Sequence, residues 1–373
     1  ATKNSSNSQS EYFRWDPSFN SFNSFSPTEF GSYSISFNSF RTAFSRDSDD
    51  NESSTFSKFR GYRVSIAQQL ASKNPNFNGG IDPNTGFPIE YSISGSDTTV
   101  TGGYGATSQE VMIPAFLAAY SGRDPNSSGL TAFPQIPIPN WRVDFSGLSK
   151  IKSLSEIFST ITLTHSYQST YSVGEFSNSL LYQDNLDFSN SLMNYPLASQ
   201  QTENGLIPFY IINQVRIIER FAPLIGLNIR TKNNLNARVD YKKDRNIMLN
   251  LSNSQVTEMR NSDFTIDFGY TRDKLRLPFK YQGNTLILDN EIEFRLNFTI
   301  RNTKTIQRKI DDESVITNGN YNFQLRPNIN YTVNDRMNLV IYYDRVVNKP
   351  TVSNSFPRYS TSFGARLRLS LNQ

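Results

Sequence analysis

The chain has 373 residues, room for one large domain or two ordinary ones, yet only 36% of it is hydrophobic while 13% is aromatic, with 28 Phe and 19 Tyr. That balance excludes a disordered chain, which would lack the aromatics, and no run approaches 18 apolar residues, which excludes a transmembrane helix. The absence of cysteine excludes disulfides, thiol catalysis and cysteine-based zinc sites, and the net charge of +4 comes from Lys and Arg spread along the chain, so nucleic acid is not an expected partner.

Residues 1–32 are rich in Ser, Asn and Phe without regular spacing and read as a flexible, aromatic-rich entry segment. Tyr33, Ile35 and Phe37 alternate with Ser34, Ser36 and Asn38, which predicts a first strand over 33–45. Residues 46–139 break that pattern. Phe56, Phe59, Val64, Ala67 and Leu70 recur at helical spacing, residues 74–107 are Gly, Asn, Pro, Ser and Thr, and VMIPAFLAAY marks a second helix over Gln109–Tyr120. Pro114 suits that helix if it falls in the first turn, Gly122 can cap it and Pro125 stops it. The segment reads as a long extracellular loop insertion with two short helices, folded over a barrel mouth as part of a cap.

Alternation resumes at Trp141, Val143 and Phe145, and again at Ile161, Leu163, Tyr167, Tyr171 and Val173. Residues 176–206 read as a polar loop. Odd positions keep one phase from Val215 to Ile229 and from Leu235 to Leu251, each a single long strand or a tight hairpin; Phe264, Ile266, Phe268 and Tyr270 follow. The clearest pattern comes last. Ile292, Phe294, Leu296, Phe298 and Ile300 alternate with Glu293, Arg295, Asn297, Thr299 and Arg301. Phe323, Leu325, Ile329 and Tyr331 alternate with Asn322, Gln324, Arg326, Asn328 and Asn330, and Leu367 and Leu369 with Arg366 and Arg368. A period of two means strand. Runs that hold phase for roughly 9–13 residues exceed the usual 5–6 of soluble strands and match the 9–11 that a tilted strand needs to cross a bilayer. The apolar set is therefore expected to face lipid and the polar set a water-filled lumen.

Short connections (149–156, 232–234, 273–285, 334–335) interleave with long ones (46–139, 174–207, 304–320, 347–360). Outer-membrane barrels have short periplasmic turns and long extracellular loops, so the long set is expected outside the cell. The expected fold is all-β: a transmembrane antiparallel β-barrel of about ten strands over 140–373 plus the first strand, with a helical extracellular insertion. No secretory signal begins at Ala1, so an outer-membrane reading implies a processed or partial chain.

Chemistry is sparse. His165, the one histidine, shares the apolar parity of Leu163 and Tyr167 and reads as a membrane-interface residue. Asp49-Asp50 and Asp311-Asp312-Glu313 read as solvated loop charge, and DPNTGF at 82–87 lacks the later carboxylates of a calcium loop. No nucleophile elbow, phosphate loop or metalloprotease motif occurs. No catalytic residue, metal or cofactor is expected, and the chain is not read as an enzyme.

PIPNWRVDFSGL (137–148), SYQSTYSVGEF (166–176), FAPLIGLNIRTKNNLNARVDYKKDRN (221–246), YTVNDRMNLVIYYDRVVNKP (331–350) and PAFLAAYSG (114–122) resemble the C-terminal part of the SprA/Sov family. That family is the outer-membrane translocon of the Bacteroidetes type IX secretion system, tied also to gliding motility. The resemblance covers roughly residues 108–373. It implies a sector of a single-chain barrel of about 36 strands, set in the cell outer membrane of a Gram-negative bacterium. It also implies export of folded cargo bearing C-terminal sorting domains. The implied partners are the remainder of the translocon barrel, a PorV-type barrel, a periplasmic plug protein, and lipid or lipopolysaccharide. Two other readings remain open: a self-contained porin or adhesin barrel, and a soluble β-structure such as a surface jelly roll. If the chain is a sector, its first and last strands should lie unpaired with each other.

Overall fold

The computed structural model describes residues 1–48, 51–73, 79–94, 97–102, 104–179, 199–202, 205–208, 210–281, 284–334, 336–352 and 355–370. Twelve strands form one antiparallel sheet: β1 Lys3–Asp16, β2 Ser21–Ser36, β3 Trp141–Phe145, β4 Phe158–Ser179, β5 Ile211–Ile212, β6 Gln214–Thr231, β7 Leu235–Asn250, β8 Gln255–Arg272, β9 Ile292–Lys309, β10 Val315–Asn334, β11 Met337–Pro350 and β12 Arg358–Leu369. The order across the sheet is β1-β2-β4-β6-β7-β8-β9-β10-β11-β12, with β3 and β5 attached to β4. The outermost strands, β1 and β12, are not paired with each other, so the sheet is open.

The long apolar phases are single strands. Residues 214–231 form one 18-residue strand, and Leu235–Asn250 another of 16. The β6 ladder is interrupted between Phe221 and Ile225, where Pro223 has no N–H to donate. Asn234 (φ 56°) and Ser254 (φ 51°) take the left-handed conformation that lets β6–β7 and β7–β8 turn tightly.

Several expected boundaries move. The expected entry segment, 1–32, is instead the β1–β2 hairpin; its side chains are largely exposed on both faces, so no apolar stripe was needed to specify it. The strand expected over 33–45 ends at Ser36 and gives way to a 3-10 turn, Phe40–Thr42. The long loops expected at 304–320 and 347–360 shrink to 310–314 and 351–357, because β9 and β10 continue into the first and β11 and β12 into the second. The short connection expected at 273–285 extends to 291 and carries a hairpin of its own, Leu275–Tyr281 with Asn284–Leu288. Most of the expected loop at 176–206 (180–198) lies outside the described residues; β4 continues to Ser179.

The insertion holds helix α1, Ser54–Lys73, helix α2, Gln109–Ser121, and a small three-stranded sheet between them. It does not join strand ends. β2 pairs with the upper half of β4 (Ser36 opposite Thr170), and β3 continues the same line down the lower half (Trp141 opposite Tyr167). Phe37 N–H donates to Ser169 O, Ile138 N–H to Ser36 O, and Ser169 N–H to Asn140 Oδ1. Residues 37–140 thus leave a strand line in mid-sheet and return to it.

The insertion packs on one face of the sheet, toward the ends of β6, β7 and β8 that carry Val215, Leu249 and Val256. Phe59, Ile66 and Leu70 of α1 and Val111, Phe116 and Tyr120 of α2 pack with Ile35, Tyr171, Val215, Ile217, Ile247, Leu249 and Val256 of the strands. α2 is buried on all sides from Val111 to Ser121, which is why its sequence is apolar all round. Pro114 falls in its second turn, not the first. Gly122 closes it in the left-handed conformation (φ 68°), its N–H reaching Ala118 O and Ala119 O.

Candidate functional site

Strand register sorts the side chains. Across β8, β9, β10, β11 and β12, directly opposed residues share a face. Glu293 opposes Asn330, Arg295 opposes Asn328, Asn297 opposes Arg326, Thr299 opposes Gln324 and Arg301 opposes Asn322. Val340, opposite Asn330, faces Arg366, and Asn338 faces Arg368. All twelve polar residues singled out from sequence therefore share one face. On the other, Ile292 opposes Tyr331, Phe294 Ile329, Phe298 Leu325 and Ile300 Phe323, with Leu296 between them and Leu367 and Leu369 on β12.

The polar face is knit by mixed-sign pairs whose arginines are exposed, although Asp240 is itself buried. Arg295 Nε donates to Glu293 (2.6 Å), Arg301 to Asp263 (2.8 and 3.0 Å), Arg326 to Asp344 (3.2 Å) and Arg238 to Asp240 (2.8 Å). Asn297 donates to Asp267, and Arg230 to Asn236. Two adjoining depressions of about 330 and 360 Å³ share Glu293, Arg295 and Asn328. Asp240, Asp263, Asp267 and Asp344 were not singled out from sequence, although the alternation of Asn236, Arg238 and Asp240 with Ala237 and Val239 carried the signal. Pairs this exposed contribute about 0–1 kcal/mol each. What they provide is a charged, hydrated surface across β7–β12.

The opposite face has three zones. Its lower zone is apolar and uncovered: Ile225 is 61% exposed, Phe363 74% and Leu369 65%. Its upper zone lies under the insertion. Between them Glu219, Arg245 and Arg260 sit in one row of opposed residues, with Glu258 and Arg308 beside it. Arg245 is 3.0 Å from Glu219; Arg260 is 2.8 Å from Glu258 and 2.9 Å from Asp47; Arg308 is 3.0 Å from Asp47 and 3.4 Å from Glu258. Arg245 also donates to Thr42 O, and Arg308 to Asn51 O. Every one of these charges has a partner, and the partners on segment 39–51 tie the insertion to four strands.

His165 does sit on the apolar face, its Nδ1 donating to Leu224 O (2.7 Å) beside Trp141 and Phe221. Asp82 spends its carboxylate locally, accepting from Asn84 N–H and Thr85 Oγ1, and these bonds hold its pKa below the usual carboxylate range. Among the described residues no three His, Asp or Glu side chains gather as a metal site. Asp49-Asp50 lie outside the described residues; Asp312 pairs with Lys309.

No protein-family model matches the chain, and no curated protein is similar to it.

Proposed function

We propose that this sheet is a sector of the wall of a very large outer-membrane β-barrel, with the apolar band against lipid and the charged face lining a protein-conducting passage. The observation that carries the reading is the uncovered apolar band running across β6–β12 on one face, backed by a charged face on the other. From Ile292, itself buried at 4% exposed, to Ile300 the apolar run spans about 27 Å of strand, or roughly 20 Å at the usual tilt, close to the ~25 Å apolar belt of such barrels. A soluble jelly roll would cover that face with a second sheet, whereas Ile225, Phe363, Leu367 and Leu369 on it are more than half exposed.

An open edge in hydrocarbon leaves unpaired N–H and C=O groups at several kcal/mol each, so the free edges of β3 and β12 call for further strands. This disfavours a self-contained porin or adhesin. With the resemblance to the type IX translocons, the reading is a translocon sector that exports folded cargo across the outer membrane, linked to gliding motility. Its partners would be the rest of the wall, a PorV-type barrel, a periplasmic plug and cargo with sorting domains. The insertion would lie toward the cell exterior. The mixed-sign face suits the passage, because it wets the wall without favouring one charge of cargo. No step of chemistry is assigned to any residue. The test is the denatured intact mass of the native detergent-extracted protein. A mass several times the 42.5 kDa of this chain is expected; a native protein of 42.5 kDa that closes alone would replace the sector with the small barrel.

A further inference from the structure

The apolar face changes character within one row of side chains. On β7, Arg245 is buried in the ion cluster, Lys243 follows two residues on, and Tyr241, two further, is 36% exposed. On β6 the sequence of zones is the same: Glu219 is 1% exposed, Phe221 1%, and Ile225 61%. The row between is aromatic. Trp141 stacks on Tyr167 (4.4 Å), and Phe40 and Phe44, from the turn that starts the insertion, pack on Phe221 (5.9 and 5.3 Å). Lys243 Nζ sits 4.6 Å over the Phe44 ring and donates to Ala43 O. Yet Phe40 and Phe44 stay 38% and 47% exposed on a surface continuous with the uncovered band, and Arg41 and Arg46 beside them are exposed.

Exposed aromatic rings, a tryptophan and a cation at the border of an apolar belt suit one environment, the layer where lipid phosphate and glycerol meet the first methylenes. The ion cluster above cannot enter hydrocarbon, and the band below should not enter water. We propose that the Phe40–Phe44 turn, with Trp141 and Lys243 beside it and the buried Tyr167 behind it, is a lipid-interface anchor. The helical insertion then stands on the membrane surface beside the wall, outside the passage instead of across it. This rests on the band being the lipid face. It also follows from the mid-sheet exit of the insertion, since its core lies on the same face as Phe298.

This chain holds no cysteine, so once any cysteine elsewhere in the full protein is replaced, single cysteines take a spin label cleanly. Labels at Phe298, Phe44 and Lys58, an exposed residue of α1, are compared in the full protein reconstituted in phosphatidylethanolamine–phosphatidylglycerol vesicles. Collisions are read with oxygen, which concentrates in lipid, and with a nickel chelate, which stays in water. The anchor requires about a tenfold loss of nickel collisions at Phe298 relative to Lys58 and an intermediate value at Phe44. Water-like collisions at Phe44, with Phe298 still protected, overturn the anchor and leave the membrane wall standing. Water-like collisions at Phe298 overturn both. Should Phe44→Cys fail to fold, Trp141 replaces it. With Trp15→Phe and any tryptophan elsewhere in the full protein replaced, Trp141 is the one tryptophan, and lipids brominated near the glycerol should quench it more than lipids brominated at the chain end. Equal absence of quenching by both rejects the anchor.

Discussion

The two halves of one sheet face invert the usual relation between polarity and burial. Along β9 the same-facing residues run Ile292, Phe294, Leu296, Phe298 and Ile300, then Asn302, Lys304, Ile306 and Arg308. The charged end is the covered one: Arg308 is 0% exposed, while Leu367, opposite Leu339 in the apolar half, is 54% exposed. Water would impose the reverse on both. A guanidinium is buried at Arg308 because Asp47, Glu258 and Asn51 meet it; on the proposed reading, leucine is uncovered because lipid meets that half. The upper half is covered by the insertion; the lower half, under the proposed function, is covered by lipid.

The largest test of this contrast removes one charge of the upper half. Glu258→Ala strands Arg260 and Arg308 with only Asp47 between them. Breaking a buried pair from one side costs about 3–5 kcal/mol. The loss should fall on the attachment of the insertion: faster hydrogen exchange in α1 and α2 with β9–β12 unchanged. Equal loosening of the whole sheet would mean the cluster holds the wall, not the insertion.

Leu296→Arg probes the lower half. At mid-membrane an arginine costs roughly 2–4 kcal/mol, read as a lowered denaturation midpoint in lipid. An unchanged midpoint would place Leu296 in water and remove the lipid face.

A third effect is set by pH. Glu110, in the first turn of α2, has a buried Oε1 with no hydrogen-bond partner among the described residues, and burial pushes its pKa from 4.5 up to about 7. The raised value means the folded insertion prefers the protonated acid. Its stability should be full below pH 4.5, fall as pH rises toward 7, and stay level above that. Melting of the insertion followed from pH 4 to 8 checks this, and Glu110→Gln should flatten the curve. A slope that persists in Glu110→Gln assigns the titration elsewhere.

The lower half was legible in the sequence and the upper half was not, for a physical reason. Where a single solvent bathes each face, alternation is forced on every strand, so Ile292–Ile300 and Asn322–Tyr331 declare both strand and parity. Where the insertion covers the face, each side chain answers to a partner far away in sequence. Arg260 and Arg308 meet Asp47 more than two hundred residues back, and no local period encodes that. The same cause hid the continuation of β9 past Arg301. The mid-sheet exit of the insertion was hidden too, because Ser36 and Trp141 become neighbours in one strand line only through their shared partner β4. The β1–β2 hairpin shows its period only from Tyr33, where one face meets the core; below that its described side chains are largely exposed on both faces.

The smallest expected effect is the most discriminating. Asn297 adjoins Leu296 in sequence and points the other way, donating to Asp267 across the β8–β9 pair and facing Arg326 across the β9–β10 pair. Asn297→Arg would lose the amide hydrogen bond, give Asp267 a cation, and set two arginines opposite each other. In a dry site the repulsion would cost several kcal/mol. In a hydrated passage both terms are screened, and Asp344 already engages Arg326, so the net change should stay within about 1 kcal/mol. Measured in the same lipid as Leu296→Arg, it should leave the midpoint nearly where it was. Equal damage from the two neighbouring substitutions would show that both faces meet one medium, and the division of this sheet into a lipid side and a water side would fall with it.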